Sequence, residues 1–282
     1  MSHTEISGPA DGPYGVAIAA GELWTTLVHA GAVVRLTAGS TQRYDLPEAS
    51  RPMVITPGPG GVWFTRNGDD RIGWIDAEGN IASVVASGAP YGICAGPDDA
   101  LWCTLMSADQ ILRITLDGEI TKYPTGVDGG FPAVITAGDG DLWFTLNQGN
   151  AIGRMTTAGE VTTYPLPTAG AGPVGISAGP EAVWFVELLA DQAGRIGFDG
   201  KIEEFGLLAG SKPHAVAATA DGGCWITLWG SGSLARLDAS GTVVQLTELG
   251  EGSEPHGLAI DTDGSVWVAL ENGSLAHIHA AE

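Results

Sequence analysis

Two Pro-His dipeptides, Pro213-His214 and Pro255-His256, sit in one chain with two carboxylates bracketing the second: Glu254 just before Pro255, and Glu271 fifteen residues beyond His256. A neutral imidazole, with an unperturbed pKa near 6.5, can accept a proton at physiological pH. Paired carboxylates are hard oxygen donors that suit a divalent cation such as Mg2+. The four residues together therefore fit proton abstraction by a histidine general base, helped by a cation that stabilises charge developing on a nearby oxygen. A single histidine is more often a hydrogen-bonded structural residue. These four gain weight because they are the exceptions in a repeat.

Seven prolines, Pro13, Pro52, Pro90, Pro132, Pro173, Pro213 and Pro255, are each followed 11 or 12 residues later by a tryptophan: Trp24, Trp63, Trp102, Trp143, Trp184, Trp225 and Trp267. Only Trp74 and Trp229 fall outside the pattern. Each unit of about 40 residues carries apolar runs before and after the tryptophan, a weaker third run such as Ile152-Gly-Arg-Met155, and a fourth ending in Tyr or Phe, with Gly-rich turns between. Four short strands per unit is the signature of a propeller blade. The expected fold is all-β: a seven-bladed β-propeller of four-stranded antiparallel blades, one domain over residues 1–282 with repeats starting near 13, 52, 90, 132, 173, 213 and 255. The last unit has room for three strands only, so the N-terminal segment Thr4–Ser7 is expected to pair with the strand around Leu275–His279. Such pairing closes the ring and satisfies an open sheet edge. No stretch has the 3.6-residue apolar period of an amphipathic helix, so almost no helix is expected. The repeated tryptophans read as packing between sheets.

Comparing the repeats with one another locates the exceptions. Before the proline stand Gly12, Arg51, Ala89, Phe131, Gly172, Lys212 and Glu254; after it stand Tyr14, Met53, Tyr91, Ala133, Val174, His214 and His256. Four residues past each tryptophan stand Val28, Asn67, Met106, Asn147, Leu188, Trp229 and Glu271. Only the seventh repeat has an acid at the first and third of these positions, and the two histidines fall in adjacent blades. In a propeller the loop entering the innermost strand and the loop leaving the second open on one face around the central channel. Glu254, His256 and Glu271 of blade 7 and His214 of blade 6 are thus expected in one pocket mouth, lined by Tyr14, Tyr91, Met106, Phe131 and Trp229. Asn67, Asn147 and Glu187 face the same side, where loop hydrogen bonding explains them at least as well as substrate contact.

The rest of the composition is mainly restrictive. With 33 acidic and 12 basic residues the net charge is −21, which argues against nucleic acid or anionic membrane as partner. Cys94, Cys103 and Cys224 lack metal-ligand spacing and read as buried thiols of a reducing compartment. No signal-like segment and no apolar run near 18 residues is present, so a cytoplasmic protein is expected, as a monomer. His277-Ile-His279 puts two imidazoles on one side of a strand, and a metal there is not expected.

The repeat text Gly12-Pro-Tyr-Gly15, Gly172-Pro-Val-Gly-Ile176, Lys212-Pro-His-Ala215 and Glu254-Pro-His-Gly257, with Leu142-Trp-Phe-Thr145 and Ala151-Ile-Gly-Arg154, resembles the virginiamycin B lyase (streptogramin B lyase) family over essentially the whole chain. The resemblance implies His256 as general base, Glu254 and Glu271 as organisers of Mg2+ directly or through water, and His214 as a substrate contact that assists. It further implies the reaction: a cyclic depsipeptide antibiotic, closed by an ester between a threonine side-chain oxygen and a C-terminal carboxyl, is linearised by elimination, giving antibiotic resistance. Departures from the family pattern, Leu228 in repeat six and the decayed texts Val33-Val-Arg35, Ile111-Leu-Arg113 and Leu234-Ala-Arg236, lie off the base and metal positions. Two other readings stand beside the lyase. A metal-dependent lactonase or esterase would use the same acids to activate water, and its product would gain one water. A non-catalytic ligand-binding propeller would show no turnover that depends on His256, since this fold serves many functions.

Overall fold

The structure, a computed structural model, describes residues 1–37 and 39–279. Its strands form seven four-stranded antiparallel sheets, the blades of a seven-bladed propeller. Among the described residues the helical segments are two 3-10 turns, Met106–Ala108 and Trp229–Ser231. Among the described residues no helix is long and apolar enough to cross a membrane.

Each repeat proline is the first residue of a blade's innermost strand: Pro13–Ala19, Pro52–Gly58, Pro90–Ala95, Pro132–Gly138, Pro173–Ala178, Pro213–Ala218 and Pro255–Ile260. A strand start tolerates proline because no ladder N–H is needed there. The preceding residue has φ between 44° and 65° in all seven blades, five times without being glycine: Arg51, Ala89, Phe131, Lys212 and Glu254. A left-handed backbone costs an L-residue roughly 1–2 kcal/mol, and it turns this side chain out at the loop. Pairing with the second strand then skips register between the proline and the third residue after it, in every blade. A bulge of this kind re-aims the side chain it carries. Tyr14, His214 and His256 sit inside these bulges.

Two further devices join the blades. The tryptophan on the second strand faces an arginine directly across on the third: Trp24 with Arg35, Trp102 with Arg113, Trp143 with Arg154, Trp184 with Arg195 and Trp225 with Arg236. The guanidinium lies 5.1–5.9 Å from the ring centre in each; a Tyr of the fourth strand stacks on the tryptophan in blades 1, 3 and 4, and Phe205 lies tilted against Trp184 in blade 5. Trp74, outside the sequence repeat, takes the arginine's place opposite Trp63. These layers are the core: Trp102, Trp143 and Trp184, with Phe64, Phe144 and Phe185, are among its largest fully buried side chains. Burial of each such side chain stabilises by roughly 1.5–3 kcal/mol.

The second device is a threonine two residues past the tryptophan. Its hydroxyl donates to the carbonyl of the bulge residue in the next blade: Thr26 to Met53 (2.6 Å), Thr65 to Tyr91 (2.7 Å), Thr104 to Ala133 (2.5 Å), Thr145 to Val174 (2.7 Å) and Thr227 to His256 (2.8 Å). Blade 5 has Val186 at this position.

Blade 7 is closed as the sequence predicts, with a shifted boundary. The N-terminal strand is Ser2–Glu5, not Thr4–Ser7, and pairs antiparallel with Ser274–Ile278, Ser2 opposite His277 and Glu5 opposite Ser274. Ile6 and Ser7 leave the ladder and bond instead, through their backbone N–H groups, to the Gly273 carbonyl. The cysteines Cys94, Cys103 and Cys224 are unpaired thiols. Burial pushes Cys94 up to about 12, so it has no thiolate character.

Candidate functional site

His256, Glu271 and His214 come together, joined by one aromatic residue, Tyr14. His256 Nε2 lies 2.8 Å from Glu271 Oε2. Its ring is sandwiched: the Tyr14 ring is tilted over it with centroids 4.5 Å apart, and the His214 ring meets it edge-on at 4.9 Å. Tyr14 Oη reaches His214 Nε2 at 3.3 Å and makes a short hydrogen bond to the Tyr91 hydroxyl. Thr227, latched to the His256 carbonyl, fixes the backbone of that residue from the neighbouring blade.

The electrostatics separate the two histidines. His214 is pushed down to about 3, by burial first and then by His256, so it is neutral at any working pH. Burial also lowers His256, but there the Glu271 carboxylate pulls in the opposite direction. For Glu271 burial alone would raise the pKa; hydrogen bonds from His29 and His256 outweigh it and hold the carboxyl at about 2. Tyr14 is raised well above the usual phenol value by burial and by Tyr91, and so remains a hydroxyl.

The orientation of the His256 ring identifies its working atom. Nδ1 is sealed from solvent and has no hydrogen-bond partner, whereas Nε2 faces the half-exposed Glu271. Nε2 is therefore the nitrogen on the carboxylate side of the ring. An ionised carboxylate only accepts, so in the resting site His256 donates its Nε2–H to Glu271 Oε2 at 2.8 Å, and Nε2 can act as a base only once that contact is released and the ring proton sits on Nδ1.

Glu254 reaches the same place from the other loop. Its carboxyl is raised by a direct interaction with Glu271 first, then by burial. Two facing carboxyls repel unless a proton or a cation joins them. The pair thus fits a hard divalent ion, with Glu254 and Glu271 as oxygen donors. Among the described residues no group of three or more His, Cys, Asp or Glu is placed to hold a metal ion, so an ion on these two carboxylates would need water or substrate oxygens for most of its shell.

The expected lining is only partly assembled. Tyr14, Tyr91 and Met106 share one apolar cluster with Val28 and Met53. Tyr14, Tyr91 and His214 also line a cavity of about 300 Å³ with Val54, Ile93 and Cys94. Trp229 borders a groove with Lys212 and Glu254, its ring 5.0 Å from the Lys212 ammonium. Phe131 takes the left-handed position before Pro132, and none of its described contacts reaches the histidines. Asn67 and Asn147 donate to the Pro90 and Pro173 carbonyls (3.3 and 3.1 Å), a loop role. His277 stacks on Trp267 at 3.9 Å, which accounts for that imidazole as packing.

His29 was missed. Its Nε2 lies 2.9 Å from Glu271 Oε1, opposite His256 on the same carboxylate. The signal was one residue beyond the positions compared: five past the tryptophan the repeats hold His29, Gly68, Ser107, Gln148, Leu189, Gly230 and Asn272, with an imidazole only in the first. Ring closure makes blade 1 the neighbour of blade 7, and so brings it to the site.

The family model described as the virginiamycin B lyase family matches residues 1–278. A virginiamycin B lyase of Nocardia farcinica is 42% identical over 139 residues; the chain spans 48% of that relative in the match, which also covers 48% of this chain. Among solved structures, selenomethionine-substituted virginiamycin B lyase from Staphylococcus aureus superposes with a TM-score of 0.95 at 35% identity, covering 99% of both chains. A streptogramin B lyase structure gives 0.91 at 36% identity, covering 98% of this chain and 97% of that one. A catalytically inactive His-to-Ala variant of the S. aureus enzyme, crystallised with quinupristin, gives 0.92 at 33% identity and 99% coverage of both.

Proposed function

Because the chain belongs to the virginiamycin B lyase family, we propose that it opens the ring of type B streptogramins by elimination, with His256 as the base. The observation that carries this reading is the Glu271–His256 pair stacked under Tyr14 and beside His214 in a half-exposed pocket.

His256 Nε2 takes the α-proton of the threonyl residue. The electron pair left on the α-carbon forms the Cα=Cβ double bond as the bond from Cβ to the ester oxygen breaks. The carboxylate departs, a dehydrobutyrine end remains, and no water is consumed. For this, His256 works as its Nδ1–H tautomer, with Nε2 released from Glu271 as substrate enters, and the Glu271 carboxylate then stabilises the imidazolium by its charge. His214 stays neutral and is turned by Tyr14, so its role is to position substrate and to donate to the departing carboxylate. A carboxylate leaves readily without strong general-acid help. The threonyl α-proton is weakly acidic, and Mg2+ bound by Glu254 and Glu271 would supply Lewis-acid polarisation of the adjacent carbonyl.

Mass spectrometry of a type B streptogramin incubated with the protein, with and without chelator, tests this. The expected product is linear, equal in mass to the substrate, and formed only without chelator. A product heavier by one water identifies a hydrolase, and full turnover in excess chelator removes the metal from the account.

A further inference from the structure

Three residues past each repeat tryptophan stand Leu27, Arg66, Leu105, Leu146, Glu187, Leu228 and Leu270. Two charged side chains occupy what is otherwise a leucine position. Arg66 is paired with Asp69. Glu187 is fully buried, and neither carboxylate oxygen has a hydrogen-bond partner. Leaving such a group uncompensated is costly, so a proton or a cation must meet it; burial and Glu204 raise its carboxyl to about 8.

The sheet register shows what surrounds it. Gln192 stands directly opposite Glu187 on the next strand, and its buried Oε1 also has no partner. Glu204, one strand further out, is opposite Gly194, two residues from Gln192. Alternation along strands puts all three on one face of blade 5. Thr168, in the connection from blade 4, donates its backbone N–H (3.0 Å) and its hydroxyl (2.7 Å) to the Glu204 carboxylate. The basic residues of this blade are turned elsewhere: Arg195 and Lys201 pair with Glu203, on the opposite face. Among the described residues no Lys, Arg or His forms an ion pair with Glu187 or Glu204. Turning the Gln192 amide over would offer Glu187 one N–H, but would leave the second oxygen unmet.

We propose that Glu187, Gln192, Glu204 and Thr168 form a second cation site, of the Ca2+ type, at the joint between blades 4 and 5. Ca2+ takes six to eight oxygens at about 2.3–2.6 Å and accepts mixed, irregular shells. Two carboxylates, an amide oxygen and the free lone pairs of the Thr168 hydroxyl match that preference, with water completing the shell. Mg2+ is smaller and demands near-octahedral geometry, so this site differs in kind from the open Glu254–Glu271 pair. Its role is to tie two blades together on the side of the ring away from blade 7, in a position where five of the other six blades use leucine.

The experiment is done on full-length Glu271→Gln protein freed of metal by chelator, so that the blade 7 site is silenced. CaCl2 should raise its thermal unfolding midpoint progressively, as mass action requires of a ligand that binds the folded state. Matched NaCl should not, and titration calorimetry should show Ca2+ binding. Adding Glu187→Gln should abolish both responses. If that double variant does not fold, Glu204→Gln, at a half-buried position, gives the same readout. The proposal is overturned if Ca2+ leaves the Glu271→Gln protein unchanged, or stabilises the Glu187→Gln variant equally. In that event Glu187, raised to about 8 by burial and by Glu204, shares a proton with its neighbour. Stability would then be greatest below the ordinary carboxyl range and fall as pH rises through 8, with no metal effect.

Discussion

Blades 6 and 7 offer the same backbone and opposite chemistry. In both, the residue before the proline is left-handed, at φ 45° in Lys212 and 44° in Glu254, and the bulge after the proline holds a histidine. In blade 6 the Lys212 ammonium lies over the Trp229 ring, so the pair satisfies itself and His214 is left to burial and Tyr14. In blade 7 the corresponding residues are Glu254 and Glu271, two carboxyls that repel until a proton or cation joins them, and His256 is tied to one of them. The loops differ too. Asp191 Oδ1 and Oδ2 accept from the backbone N–H groups of Lys212 and Gly210 and clamp the loop into blade 6. Its equivalent before blade 7 is Gly232, so the Glu254 loop has no such clamp. The scaffold fixes where the side chains start; the residue type decides whether they satisfy each other, as in blade 6, or face each other as carboxyls, as in blade 7.

The comparison breaks most completely if blade 7 is given blade 6 chemistry. Glu254→Lys should abolish divalent-ion binding by calorimetry and turnover together, while the fold survives, since residue 254 is exposed. Next in size is His256→Ala, which should lose about 100- to 10,000-fold in kcat/KM, the usual share of general-base catalysis. His214→Ala should lose less, because His214 takes no proton, and both variants should unfold within a few degrees of the parent.

The pH profile sharpens the distinction between the histidines. A base works when unprotonated, so kcat/KM must fall as pH falls through the His256 pKa. Burial sets that pKa below the ordinary 6.5, so the profile should be flat through neutrality, with its acid limb below 6.5. A limb above 6.5 would assign the base elsewhere.

The smallest effect concerns the latch. Thr227→Val copies the Val186 of blade 5 and removes the donor to the His256 carbonyl. A loss of about 1 kcal/mol in stability by denaturant unfolding is expected, as for one buried hydrogen bond, with only a few-fold loss of activity. An unchanged stability would mean that the latch is not holding His256.

Much of this was legible in the sequence because a repeat carries its own control. The period placed every strand start at a proline, and the departures at positions 254, 256 and 271 pointed to a site that the structure assembles. The N-terminal strand was placed two residues late because Ile6 bonds to Gly273 outside the ladder, a loop contact without apolar alternation to announce it. His29 escaped because its partner lies 242 residues away, across the ring closure. Glu187 was seen but set on the pocket face; the structure buries it fully, opposite Gln192 on the next strand.

The most direct test of the central claim is the reaction of a type B streptogramin in water labelled with oxygen-18. Elimination predicts a linear product of unchanged mass whose carboxylate holds no label, formed by the parent protein and, at equal enzyme concentration, at least about 100-fold more slowly by His256→Ala. Label in the released carboxylate, with the mass increased by one labelled water, would contradict the account.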